Sequence, residues 1–177
     1  GDNRFMPAIL QKAQEGKLKR AIGNRDKLSD FTYVSNLVDA VVMAEQHLIK
    51  GAPVCGQAYF ITNGEPIAFF DFIERVLVQL GYPRITGKVP YWLAYAVAAI
   101  VEGLDTLKGG TLNAESGLSR FSVRYMVTHH YFSIEKAKKD FGWTPKVNLE
   151  EGIRLTVAAL KKDVNVQRQL SALRAAA

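Results

Sequence analysis

Asp30-Phe31-Thr32-Tyr33-Val34-Ser35-Asn36-Leu37-Val38-Asp39-Ala40 is the stretch on which the reading of this 177-residue chain turns. Its first part is aromatic and β-branched, which suits a short strand over Phe31–Val34. Asn36 then stands where a helix N-cap is expected, with Asp39 three residues later near the positive end of the helix dipole. Leu37, Val38, Val41, Ala44 and Leu48 recur at helical spacing, and Gly51 closes the run. A strand feeding a helix places this part of the chain in the α/β class.

Upstream, Met6–Glu15 reads as a short helix with Pro7 in its first turn and Gly16 at its end. Downstream, Ala58–Thr62 has the composition of a strand and leads into the turn pair Asn63-Gly64. A helix is expected from about Pro66 to Leu80, stopped by Gly81, and then a loop from Tyr82 to Val89. Pro90 opens a very apolar helix to about Leu107, broken by Lys108-Gly109-Gly110. Leu118–Thr128 reads as helical and Tyr131-Phe132 as a short strand. Ser133 is expected to cap a helix over 134–140, with Gly142 after it. Asn148 is expected to cap the last helix, with Glu150 and Glu151 in its first turn and Lys161 and Lys162 in its last. The sum is helix-rich with two or three short strands. Such isolated strands do not make a sheet of their own, so those near 31–34 and 58–62 read as completing a sheet begun elsewhere.

Composition is that of a globular protein: 48% hydrophobic, 23% charged and one cysteine. This excludes a disordered tail, a collagen-like fibre and a disulfide scaffold. The net charge of +6 is spread over short clusters such as Lys17-Leu18-Lys19-Arg20 and Lys136-Ala137-Lys138-Lys139. These read as solvated faces, not as the aromatic-interleaved stripe of a nucleic-acid surface. The longest apolar run, Tyr91 to Val101, is eleven residues, against about 20 for a bilayer span. No Gly-x-Gly-x-x-Gly turn is present. The nearest phosphate-loop candidate, Gly81 to Lys88, has five residues between its glycines and Val89 where a hydroxyl is needed. His47 is remote from the adjacent His129 and His130, so no metal set is expected. Glu150-Glu151 is explained by the helix start, and Asp26 with Asp30 by loop solvation.

Three segments in fixed order carry a family resemblance. Gly1-Asp2-Asn3-Arg4-Phe5-Met6-Pro7 comes first, followed by Ile22-Gly23-Asn24 with the Asp30–Ala40 stretch. Tyr131-Phe132-Ser133-Ile134-Glu135-Lys136-Ala137 then leads to Phe141-Gly142-Trp143-Thr144-Pro145 and Leu149-Glu150-Glu151-Gly152. Together they resemble the carboxyl-terminal half of an extended short-chain dehydrogenase/reductase. The nearest likeness is to the 3β-hydroxysteroid dehydrogenase family, with its sterol-4α-carboxylate (decarboxylating) members, over about residues 1–160. Nucleotide-sugar epimerases and dehydratases share the layout, but carry an arginine just before the Asp-Phe/Tyr pair to grip a diphosphate. Ser29 stands there in this chain, which favours a steroid- or sterol-like substrate.

The resemblance implies an α/β fold: a carboxyl-terminal substrate-binding lobe (1–160) of an NAD(P)-binding Rossmann-type enzyme, with a carboxyl-terminal tail (161–177) compatible with helix. Family members use a Tyr-x-x-x-Lys pair, tyrosine as acid/base and lysine lowering its pKa. The residues four places after the seven tyrosines are Leu37, Asn63, Thr86, Tyr95, Ala99, His129 and Glu135, none of them lysine. The catalytic pair and the NAD or NADP site are therefore expected upstream of Gly1, in a longer enzyme or a partner chain, and this chain alone is expected to be inactive. The parent activity implied is oxidation of a 3β-hydroxyl, with or without 4α-decarboxylation. Asn3, Phe5, Met6, Trp92, Tyr95 and Phe121 are expected to line the substrate side. Asn36 and Asp39 are assigned to helix capping. Residues 90–107 are read as a core helix or one touching a greasy substrate or membrane surface. The location expected is cytoplasmic or peripheral to a membrane such as the endoplasmic reticulum, not secreted, with no nucleic-acid partner. Two other readings stand beside this one: a nucleotide-sugar relative in which Arg120 or Arg124 takes over phosphate binding, and a non-catalytic interaction subunit.

Overall fold

The computed structural model describes residues 5–107, 109–110 and 118–175. Helix α1 (Phe5–Gln14) leads to β1 (Arg20–Ile22) and β2 (Leu28–Ser29), then α2 (Val34–Gln46). After a long irregular segment come β3 (Ile67–Ala68), α3 (Phe69–Gln79), β4 (Gly87–Val89) and α4 (Tyr91–Leu107). Helices α5 (Arg120–Met126), α6 (Glu135–Phe141) and α7 (Leu149–Ala175) complete the chain. β1 runs parallel to β4 in the register Arg20↔Gly87, Ala21↔Lys88, Ile22↔Val89. β2 and β3 pair antiparallel, and Ser29 adds a single parallel bridge to His130.

Three apolar clusters hold these elements. The largest joins α1, α3 and α7 through Met6, Ile9, Leu10, Ile73, Val76, Leu77, Ile153 and Val157. A second surrounds the fully buried Trp143 with Ala40, Val54, Ile134, Ala137 and Phe141. The third is small: Ala94 and Ala98 of α4 on Val123 of α5, with Ile22, Val89 and Tyr95 at its edge. Between the first two lies a polar lock. The Asn36 amide donates to Asn63 Oδ1 (2.8 Å) and to the Val147 carbonyl (2.7 Å). Its oxygen accepts from the Lys146 and Val147 amides at 3.1 and 3.0 Å. Every polar atom of this buried side chain is thus paired, as burial demands.

Several sequence expectations change. Phe31–Val34 is not a strand, because helix α2 already begins at Val34 and Phe31 instead stacks on Phe72 at 3.6 Å between ring centroids. Asn36 and Asp39 are not caps. Tyr33 is the capping residue, Asn36 forms the lock, and Asp39 pairs with Lys146. Ala58–Thr62 and Tyr131-Phe132 pair with no described strand, so they stay outside the sheets. The expected helix from Pro66 begins at Phe69 because Ile67-Ala68 pairs with β2 first, and the loop before α4 contains β4. The Asn148 cap is present, accepting from the Glu151 amide at 2.9 Å. The α7 helix passes through Lys161 and Lys162 without ending there and reaches Ala175. Asn3, Lys108 and residues 111–117 lie outside the described residues.

Candidate functional site

A cleft of about 570 Å³ opens at the carboxyl ends of the parallel pair β1 and β4. In α/β proteins this is where ligands gather, because the loops leaving parallel strands diverge there. Gly23 and Asn24 follow β1; Val89, Pro90 and Tyr91 lead from β4 into α4; Val127 closes the side after α5; Lys27 and Lys88 complete the lining. The volume falls within the roughly 300–1,000 Å³ range of small-molecule sites.

The sequence shapes this cleft locally. The Gly23 amide donates to the Val89 carbonyl at 2.8 Å, carrying the β1–β4 ladder one step further. Gly23 has φ +68°, and a Cβ there would lie 2.7 Å from Val127 Cγ1. A side chain would be strained and would collide with the wall. The loop after Gly23 is held by Arg25, whose guanidinium donates to Asp71 (2.6 and 3.0 Å), Glu74 (3.1 Å) and the Ile85 carbonyl (2.9 Å). The loop carrying Asn24 and Lys27 is therefore fastened to α3 and to the approach of β4.

Behind the cleft, α4 and α5 are clamped together. Ser119 and Ser122 form a reciprocal capping box at the start of α5, each backbone amide 3.0 Å from the other's hydroxyl. Glu102 accepts from the Arg120 amide at 2.7 Å and pairs with its guanidinium. These hydrogen bonds hold the Glu102 carboxyl below its usual range and raise the Arg120 guanidinium. Arg120, the candidate phosphate ligand, is thus engaged within the fold.

The sequence-derived site residues fall in different places. Met6 is buried in the large core, and Phe5 stands 6.1 Å from Phe31 and 6.0 Å from Phe69. Phe121, 6.3 Å from Tyr125, is at the other end of an aromatic series, since Tyr125 lies 6.1 Å from Phe69 and stacks on His130. Tyr95 stands behind the cleft residue Tyr91 at 5.6 Å. Trp92 is 69% exposed on the outer face of α4. None of these five lines the cleft itself. Sequence reasoning missed Lys27 and Lys88; the signal available was Gly23-Asn24, quoted for the family resemblance but given no role. Among the described residues no group of three His, Cys, Asp or Glu could hold a metal ion, and no helix is long and apolar enough to cross a membrane.

Comparison with known proteins places this geometry. The sequence model of the 3-beta hydroxysteroid dehydrogenase/isomerase family matches residues 1–90. The mouse (Mus musculus) protein named sterol-4-alpha-carboxylate 3-dehydrogenase, decarboxylating, is 37% identical over 92% of this chain and 46% of its own length. A 2-alkyl-3-oxoalkanoate reductase of Stenotrophomonas maltophilia is 36% identical over 87% of this chain and 46% of its own. The Arabidopsis thaliana 3beta-hydroxysteroid-dehydrogenase/decarboxylase isoform 1 is 40% identical over 89% of this chain and 37% of its own. The chain spans about half the length of the curated relatives it matches. Among solved structures, gox2253 superposes with a TM-score of 0.60 at 18% identity, over 89% of this chain and 44% of that one. Bacillus anthracis dTDP-glucose 4,6-dehydratase, solved with NAD, gives 0.52 at 19% identity, over 88% of this chain and 38% of that one. These likenesses establish the fold: a helix-rich α/β arrangement that corresponds to 44% and 38% of the length of those two chains.

Proposed function

Because the chain belongs to the 3-beta hydroxysteroid dehydrogenase/isomerase family, we propose that it forms the substrate-holding half of an oxidoreductase that oxidises a 3β-hydroxyl on a sterol-like molecule. The observation that carries this reading is the cleft, walled by Val89, Pro90, Tyr91 and Val127 and wide enough for a bulky apolar ligand. A diphosphate clamp is missing where a sugar-nucleotide enzyme would need it. Ser29 is buried in the β2 ladder, and Arg120 is occupied by Glu102.

The relatives named above work beside a carboxyl group: at carbon 3 of a 4-carboxylated sterol, or at the 3-oxo carbon of a 2-alkylated acid. We assign the substrate the same arrangement. Once the hydroxyl has become a ketone, the neighbouring carboxyl can leave as carbon dioxide, its bonding electron pair being taken up toward the ketone oxygen. Of the aromatic residues on α4, Tyr95 stands next to the wall residue Tyr91.

NAD(P) does not fit the described residues. The turn after β1 reads Gly23-Asn24-Arg25, which is not the glycine-rich dinucleotide turn, and no Tyr-x-x-x-Lys pair accompanies it. We therefore assign NAD(P) and the acid/base pair to another half of the enzyme, in the same or a partner chain. The exposed apolar residues of α2, among them Val34, Val38 and Val41, suit its docking. The outer face of α4 is suited to a membrane surface, which would place the enzyme at the edge of a membrane such as the endoplasmic reticulum. The test is turnover by the complete enzyme of a 4α-carboxy-3β-hydroxysterol with NAD or NADP, read as reduced nicotinamide absorbance and released carbon dioxide. Both signals are expected. Turnover of a nucleotide sugar in place of the sterol acid would overturn the reading.

A further inference from the structure

Two lysines are among the residues that line the cleft, and its apolar walls do not explain them. Lys27 comes from the loop after β1 and Lys88 from the middle of β4, and both line the same cavity. A pocket for hydrocarbon alone gains nothing from ammonium groups, which lose hydration when an apolar ligand covers them. Two cationic residues bordering one cavity give it positive charge that an anionic ligand can balance. No acidic side chain lines the cleft. Lys88 has no ion pair among the described residues. Lys27 has its chain neighbour Asp26 at 3.1 Å, in a pair whose aspartate is 57% exposed. Such a surface pair contributes little, so an incoming carboxylate can replace it at small cost. Asn24 adds an amide to the same wall.

We propose that Lys27 and Lys88 bind the carboxylate of the substrate, so that the site selects hydrophobic 3-hydroxy or 3-oxo acids over their neutral counterparts. The inference rests on the function proposed above and names the residues that would read its acidic group. The reacting carbon is bonded directly to the one bearing the carboxylate, so anchoring the acid restricts where that carbon can lie. Loss of the carboxyl as carbon dioxide would remove the anchor and favour product release.

The test titrates the protein with a long-chain 2-alkyl-3-hydroxy acid and with its methyl ester. The readout is the heat of binding in a calorimetric titration, which needs no reporter group at the cleft. The acid is expected to bind about tenfold more tightly than the ester, as charge-assisted hydrogen bonds are lost on esterification. Lys27→Met and Lys88→Met should each reduce that ratio, and the double variant should abolish it. Binding of the ester, unchanged in all variants, shows that they remain folded. Equal binding of acid and ester by the unaltered protein, or a preference that survives the double variant, would overturn the carboxylate site while leaving the apolar-substrate reading intact. Binding of neither compound would overturn both.

Discussion

The α4–α5 arm carries a higher proportion of apolar residues than the α1–α3–α7 core, yet the two treat them in opposite ways. In the core, Ile73, Val76, Leu77 and Ile153 are at most 1% exposed and interlock with side chains from three helices. In the arm, only Ala94 and Ala98 are buried against Val123, and the small side chains let the helices approach closely. Trp92, Ile100, Leu104 and Leu107 are left facing outward, between 53% and 84% exposed. Apolar content therefore does not tell which helix stabilises the fold. The core helices supply stability, whereas the arm spends its large side chains on a surface and is tied down by a capping box and the Glu102–Arg120 pair.

Substitutions can break this contrast. The largest effect is expected for Ile73→Ala, a loss of about 2–5 kcal/mol from an emptied core site, measured by urea unfolding. Asn36→Leu should cost about 2–4 kcal/mol in the same assay, since it strips partners from Asn63 and from the Lys146 and Val147 amides. Gly23→Ala should cost about 1–3 kcal/mol through its positive φ and the clash with Val127. It should also weaken ligand binding, because the added methyl group enters the cleft wall. Trp92→Ser, on the arm's outer face, should change stability by less than about 0.5 kcal/mol. A loss as large as that of Ile73→Ala would dissolve the distinction between the two regions.

The smallest effect concerns pH. The Glu102 carboxyl is depressed below its ordinary value of 4.5 by its hydrogen bonds from Arg120. A group whose folded pKa is lowered contributes fully above that ordinary value and loses its contribution as pH falls through the folded one. Below about pH 4.5 the arm should therefore loosen slightly, and Glu102→Gln should remove that acid-side dependence. Thermal melting across pH, comparing the two proteins, checks the sign. The expected difference is small because the pair is at the surface.

Sequence legibility followed the same division. Helix α1, the α4 start at Pro90, the Gly142 and Asn148 boundaries and the helical 118–128 segment could be read from local spacing, since caps and periodicity act within a turn or two. The candidate site was less legible. Gly23 and Asn24 were visible as a motif, but Lys88 lay in what looked like an ordinary loop. Phe5 and Met6 looked like substrate contacts because they are apolar and near the family motif, yet the structure packs them against α3.

By itself, the sequence determined the family, the helix-rich α/β character and the lack of a dinucleotide turn, because motif order and glycine placement are properties of the chain. Only the tertiary structure decided that Phe31 stacks in place of pairing as a strand, that Asn36 locks in place of capping, and that Lys27 and Lys88 border one cavity. A strand exists only with a partner and a buried amide is settled only by distant groups; Val147, which takes up the Asn36 amide, lies 111 residues away. Two charges share a cleft only when β1 and β4, far apart in sequence, lie side by side. Such long-range pairings leave no trace in local spacing.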